Sequence, residues 1–214
     1  QRQMCIRDKV KDTLYKLNSS TFSSQFTGYH TFASKFPKNL NVVLLVKETL
    51  VFEIKNVISL TSLPLLKVDF SFGPFIGLYL PHCVENSEKL STLSEFLDGP
   101  CRPRILAGDL NIDFSKPRSP YETKIKELFT LNGLDSPILF DPSHTFLRNA
   151  KNRSSSSRID HILISNDICD LPWKEEVSKF DISLSPDHCL VSIYRAPLTP
   201  LHRKSRPKIP KDLL

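Results

Sequence analysis

Three apolar runs in the second half of the chain each carry polar, chemically capable groups near one end. They are Arg104-Ile-Leu-Ala-Gly-Asp-Leu-Asn111, Arg158-Ile-Asp-His-Ile-Leu-Ile164 and Ser185-Pro-Asp-His-Cys-Leu-Val-Ser-Ile193. Ile, Leu and Val at this density mark strands, and a buried strand tolerates a carboxylate only where something pairs with it. One Asp-x-Asn or Asp-His pair would be an ordinary turn. Three in this order require several strands that deliver acids, an amide and imidazoles to one rim of a sheet. That arrangement suits metal-assisted hydrolysis.

The rest of the chain supplies a frame for such a rim. Strand signals cover Asn41 to Val46, Leu50 to Leu60, Leu65 to Phe72 and Phe75 to Leu80, broken by Pro64 and Gly73-Pro74. Gly28 to Phe36 reads as an irregular strand. Helical spacing runs from Ser87 to Leu97 and from Tyr121 to Leu131, the second stopped by Gly133, and Asp8 to Leu17 is a short helix candidate. Many strands with few helices predict an α+β layering, sheets inside and helices outside.

With 214 residues, 40% of them hydrophobic, one domain with one sizeable core is expected. No apolar run is long enough for a membrane-spanning helix, so no membrane partner is expected. Five scattered cysteines without a Cys-x-x-Cys pair read as reduced thiols of an intracellular protein, neither zinc ligands nor a disulfide framework. A net charge of +6 suits a polyanionic partner but also an ordinary lysine-rich surface.

At Gly108-Asp109-Leu110-Asn111, the glycine lets the backbone turn close to a ligand, while Asp109 and Asn111, two apart, share a side of an extended segment. A carboxylate accepts a proton from water or coordinates a cation; a neutral amide can hold a phosphate oxygen. Asp160 sits within an apolar strand and asks for a metal, a histidine or a backbone donor as partner. His161 points to the other face, as a core or surface residue. Asp187 and His188 diverge as neighbours on a strand do, one suited to metal and the other to a scissile phosphate.

On Gly108-Asp-Leu-Asn111, Arg158-Ile-Asp160 and Ser185-Pro-Asp187-His188, with Gly77-Leu-Tyr79-Leu-Pro81 as a weaker match, the chain resembles the endonuclease/exonuclease/phosphatase superfamily. Within it, the chain looks most like the endonuclease domains of non-LTR (LINE-type) retrotransposons. The resemblance spans Gly28 to Tyr194. It implies a DNase I-like four-layer α/β sandwich: two packed, mostly antiparallel sheets with outer helices. It also implies roles. Asp109 would orient or deprotonate the attacking water, and Asn111 would hold the phosphate. His188 would contact the phosphate, with Asp160 fixing its imidazole. Tyr79 would bond a phosphate oxygen or the leaving group, and Asp187 would belong to the metal environment. The cation implied is Mg²⁺, or Mn²⁺ in its place, and the partner is DNA. A reverse transcriptase in the same polyprotein and a nuclear location would follow.

Leu147 to Arg158 holds Arg148, Lys151, Arg153 and Arg158 and no acid. It is similar to a hairpin loop that enters the DNA groove in the retrotransposon enzymes; a Ser-rich surface loop is the plain alternative. Pro186 stands inside what is usually Ser-Asp-His, and His82 stands where relatives often have Asn.

The family's early strands, one with an Asn and one with a Gln-Glu-Thr-type metal ligand, have no counterpart here. Asp8 is the nearest acid to the expected Glu. Residues 1–8 resemble a translated adaptor and are expected to be a non-native leader. The domain is expected over 9–195 with its N-terminal strands missing, followed at 196–214 by a basic, Pro-rich tail or linker. Three readings stay open: a metal-dependent DNA endonuclease, a phosphatase or phosphodiesterase acting on RNA, lipid or inositol phosphate, and a non-catalytic nucleic-acid-binding remnant.

Overall fold

The computed structural model describes residues 5–7, 27–36, 42–99, 102–135, 144–150, 153–169, 173–179 and 188–195. In chain order the elements are β1 (Cys5–Arg7), β2 (Tyr29–Ala33), β3 (Val43–Lys47), α1 (Glu48–Val51), β4 (Ile54–Ser59), β5 (Leu65–Phe70), β6 (Gly73–Leu78), α2 (Asn86–Leu97), β7 (Ile105–Asp109), α3 (Pro120–Leu131), β8 (Leu134–Asp135), β9 (Phe146–Ala150), β10 (Arg153–Ser157), β11 (Asp160–Ser165), α4 (Asn166–Cys169), β12 (Trp173–Lys179) and β13 (Cys189–Arg195).

The central sheet has six strands in the order β4-β5-β6-β7-β11-β8, antiparallel except for the β6–β7 pair. A second sheet, β1-β3-β2, and two hairpins, β9–β10 and β12–β13, complete it. Period-2 alternation explains the layering. On β5, Leu65 faces one apolar cluster while Leu66, Val68 and Phe70 face another; β6 splits Ile76 and Leu78 from Phe75, β7 splits Leu106 from Ala107, and β11 splits Leu163 from Ile162. The first cluster is closed by Leu93 and Leu97 of α2 and by Ile125 and Phe129 of α3. The second is closed by Leu44 and Val46 of β3, with Phe32 of β2 and Val191 and Ile193 of β13 packed against it. Helices, sheet and sheet therefore stack in layers, the expected α+β sandwich. Gly77 lets the sheets meet closely, since a Cβ there would stand 2.6 Å from Val42 Cγ1.

Most expected elements are present, with three differences. Leu50 to Leu60 is not one strand: Glu48–Val51 form a helical turn, Leu50 and Val51 pack at the edge of the second cluster, Phe52 points out at 78% exposure, and β4 begins only at Ile54. β12 carries few apolar residues, so no strand signal marks it; pairing with β13 makes it a strand. Cys5–Arg7, read from sequence as leader, pair antiparallel with Val43 to Leu45. The helix expected over Asp8 to Leu17, Asp8 itself, and the tail at 196–214 lie outside the described residues. Among the described residues no helix is long and apolar enough to cross a membrane.

Candidate active site

The β7–β11 register sets the site. It places Asp160 directly opposite Asp109, and His161 opposite Gly108. Because β6 and β7 run parallel, the residues after β6 reach the same rim as the end of β7. Hydrogen bonds close this rim. Leu80 N–H donates to the Asp109 carbonyl at 3.0 Å, and Leu110 N–H to the Ile159 carbonyl at 2.9 Å. Gly108 has φ of 150°, a backbone conformation a side chain rarely adopts, and it turns β7 into the site.

Asp109 is fully buried, and its Oδ1 accepts the Asn111 N–H at 2.9 Å. That short loop puts Asn111 in the left-handed region, φ 52°, which Asn tolerates better than most residues. Asn111 Nδ2 donates to the Leu80 carbonyl at 2.8 Å, so one amide hydrogen fixes the side chain.

His188 lies just before β13. Its Nδ1 stands 3.0 and 3.2 Å from the two Asp160 carboxylate oxygens, and the side chains are only 11% and 15% exposed. A carboxylate can only accept, so Nδ1–H donates. Phe146 packs edge-on against the imidazole, ring centroids 5.0 Å apart, and bridges His188 through the backbone.

His161 behaves as its alternation predicts, facing away from Asp160. It is 4% exposed, its Nε2 donates to the Ile112 carbonyl at 2.8 Å, and it stacks on Phe114 at 4.4 Å. Burial pushes its pKa down to about 4 against the opposing effect of the Ile112 carbonyl, so it is a neutral core residue at pH 7.

Of the residues singled out by sequence, Asp109, Asn111, Asp160 and His188 come together at one rim. Tyr79, just past β6, is 6% exposed and packs in the second apolar cluster. Arg148 and Arg153 lie on the two strands of the β9–β10 hairpin. Lys151 and Asp187 lie outside the described residues. The Arg158 guanidinium pairs with Glu175, at 15% exposure.

Against this geometry, residues 10–176 match the model of the endonuclease/exonuclease/phosphatase family. The chain belongs to that family. No curated protein matches its sequence. Solved structures share the fold. The endonuclease domain of TRAS1, a telomere-specific non-LTR retrotransposon, aligns with a TM-score of 0.60 at 16% identity, over 81% of this chain and 82% of that one. The 3′ phosphatase NExo from Neisseria, bound to product DNA hairpin, gives 0.66 at 19% identity, over 91% and 89%. An AP endonuclease from Archaeoglobus fulgidus gives 0.63 at 17%, over 91% and 89%. The architecture is therefore the DNase I-like sandwich.

For a member of this family, the donor set matters. Asp109, Asp160 and His188 offer ligand atoms all within 4.8 Å of one another, a grouping able to hold a metal ion. Asp109 and Asp160 are the two carboxylates of the cluster, and Asp160 also holds the His188 imidazole. A hard divalent cation that keeps several waters and binds through one or two carboxylates plus phosphate oxygen fits this set.

Two buried residues escaped the sequence reading. Thr145, fully buried, accepts the N–H groups of both Ile159 and Asp160 on Oγ1, at 3.1 and 3.0 Å, and so fixes the start of β11. Its hydroxyl in an unremarkable His-Thr-Phe triplet carried no signal. Lys89 donates from Nζ to the Pro81 carbonyl at 3.1 Å, and burial lowers its pKa. Its position in line with Leu93 and Leu97 on the buried side of α2 was a readable sign.

Proposed function

We propose that the chain is a divalent-metal-dependent phosphodiester hydrolase that nicks DNA, of the kind carried by non-LTR retrotransposons. The observation that carries this reading is the Asp160–His188 dyad beside Asp109 and Asn111 at one rim. Fold likeness to the TRAS1 endonuclease domain, and to NExo bound to a DNA hairpin, supports DNA as the polymer.

In-line displacement at phosphorus needs an activated water, neutralised charge and a positioned leaving group. Asp109 orients the water and accepts its proton. Asn111 donates its second amide hydrogen to a phosphate oxygen, and its preset conformation means little ordering is left for substrate to impose. His188, locked by Asp160, offers Nε2 to the phosphate. Tyr79 bonds a phosphate oxygen or the leaving group. Mg²⁺, or Mn²⁺ in its place, would be held by Asp187 together with the cluster carboxylates and would neutralise phosphate charge when bound. Arg148, Lys151 and Arg153 contact the DNA backbone from the hairpin. The catalytic unit is residues 9–195, the tail at 196–214 is an extended basic linker, and the site of action is the nucleus, beside a reverse transcriptase.

A second reading is favoured by the likeness to the 3′ phosphatase: the same machinery acting on a terminal phosphate. Supercoiled plasmid and a 3′-phosphorylated DNA hairpin, each with Mg²⁺, with Mn²⁺ and with EDTA, separate the two. Metal-dependent relaxed circles, abolished in Asp109→Ala and His188→Ala, are expected. Phosphate release without nicking supports the second reading. DNA binding with neither activity marks a non-catalytic remnant.

A further inference from the structure

We infer that Arg158 and Glu175 form a positioning pair that holds the Asp160–His188 dyad together; only the kinetic part of its test rests on the proposed hydrolase activity. Arg158 lies at the joint between β10 and β11, two residues before Asp160, and its N–H donates to Asp113 Oδ2 at 3.3 Å. Its guanidinium reaches Glu175 Oε1 in the middle of β12. Glu175 stands opposite Ile193 of β13, and β13 begins one residue after His188. One ion pair thus ties the strand bearing the acid to the hairpin bearing the imidazole.

Burial makes this pair informative. The Glu175 side chain is 0% exposed, and its Oε2 has no hydrogen-bond partner among the described residues. A buried ion pair seldom adds stability over well-packed apolar residues of similar volume. What it supplies is direction, because a planar guanidinium meets a carboxylate in few orientations. Val191 and Ile193 already press β13 onto the second apolar cluster. Apolar packing sets the spacing between layers but resists sliding along the strands weakly. The ion pair blocks that slide, and a slide is the movement that would draw His188 Nδ1 away from Asp160.

The test uses the full chain with Glu175→Ala, Glu175→Gln and Arg158→Lys. Nitrogen-15 NMR of the imidazoles reads the His188 tautomer, and plasmid nicking gives kcat and KM. In Glu175→Ala the Nδ1-protonated signal of His188 is lost, kcat falls about 100-fold and KM stays within about twofold, as expected for a misplaced catalytic group. Glu175→Gln, whose amide oxygen still accepts from the guanidinium, restores the signal and most of kcat. A Glu175→Ala variant that keeps the His188 signal overturns the proposal, as does a change in KM with kcat intact, which would mean that Arg158 serves the DNA. Should Glu175→Ala fail to fold, Arg158→Lys decides: it keeps the charge but puts a flexible point charge in place of the rigid, planar guanidinium, and an unaltered His188 signal overturns the proposal. If the wild-type chain cuts no DNA, the tautomer alone decides, so failure of the hydrolase reading leaves this test intact.

Discussion

Asp109 and Asp160 stand opposite each other on neighbouring strands, and Asp160 is hydrogen-bonded to His188 Nδ1. The register brings two acids to one rim, and the proposed mechanism gives them separate tasks, Asp109 for the water and Asp160 for the imidazole. Asp160→Asn and His188→Ala are therefore expected to be strongly non-additive: each alone removes most of the nicking rate, on the order of 100-fold or more, and the double variant loses little beyond the worse single. A full multiplicative loss in the double variant would show that the two act independently.

Asn111 is held in the left-handed region with its amide on Leu80. Asn111→Ala forces a Cβ-bearing residue without a local hydrogen bond into that conformation, a cost of about 1–2 kcal/mol in addition to the lost rate. Asn111→Gly removes the strain but not the catalytic loss. Thermal melts of the two variants should differ while both stay inactive; equal melts would count against backbone strain at this position.

His161 makes stability depend on pH. Its folded pKa is lowered to about 4, chiefly by burial, with Arg158 acting in the same direction and the Ile112 carbonyl, Asp160 and Asp113 against it. Between about 6.5 and about 4 the unfolded chain binds a proton that the folded chain refuses, so stability falls as pH drops through this window and levels off below it. From pH 7 to pH 5 the loss is about 2 kcal/mol. Asp113 adds nothing in that interval: burial pushes its carboxyl up, but hydrogen bonds from Ser115 and Arg158, with His161 nearby, hold it below the usual range, so its contribution is lost only at lower pH. Urea midpoints at both pH values, with EDTA present, read the effect. His161→Phe should flatten it, and a wild-type midpoint that does not move would contradict it.

Thr145→Val deletes one acceptor and leaves two N–H groups, of Ile159 and Asp160, without it. The expected cost is about 2 kcal/mol or more, since each buried donor left unsatisfied is worth about 1–3 kcal/mol. Hydrogen exchange at those two amides should quicken specifically, and Thr145→Ser should restore protection. Unchanged exchange would mean that β11 holds its own start.

Replacing Arg148, Lys151 and Arg153 with alanine should weaken DNA binding and lower the slope of log affinity against log salt by up to about 3, from about 0.9 per duplex phosphate contact. A preserved slope would count against the hairpin as a DNA contact.

The sequence made the central strands and the rim legible because both obey alternation. Leu106 and Ala107, or Ile162 and Leu163, announce burial on two faces, and a polar residue at the end of such a run stands out. Asp109, Asn111, Asp160 and His188 were therefore found together. What stayed hidden acts through pairing across long sequence distance. Trp173-Lys-Glu-Glu-Val looks like a solvated segment until β13 is beside it, and Glu175 looks exposed until Arg158 meets it. Thr145 acts through backbone N–H groups, which every residue but proline carries, so no spacing betrays it. The split of Leu50 to Leu60 was missed because an apolar triplet in a helical turn resembles the start of a strand.

Successive residues of β11 differ sharply in chemistry: an acid, then a buried neutral imidazole, then an aliphatic run. A slip of one residue against β7 would swing His161 toward the solvent rim and thrust Asp160 into the layer where Phe114 now stacks. Neither apolar cluster could then close. Proofreading of the acid's placement is thus built into collapse itself, and molecules that reach the compact state arrive with their chemistry already aligned.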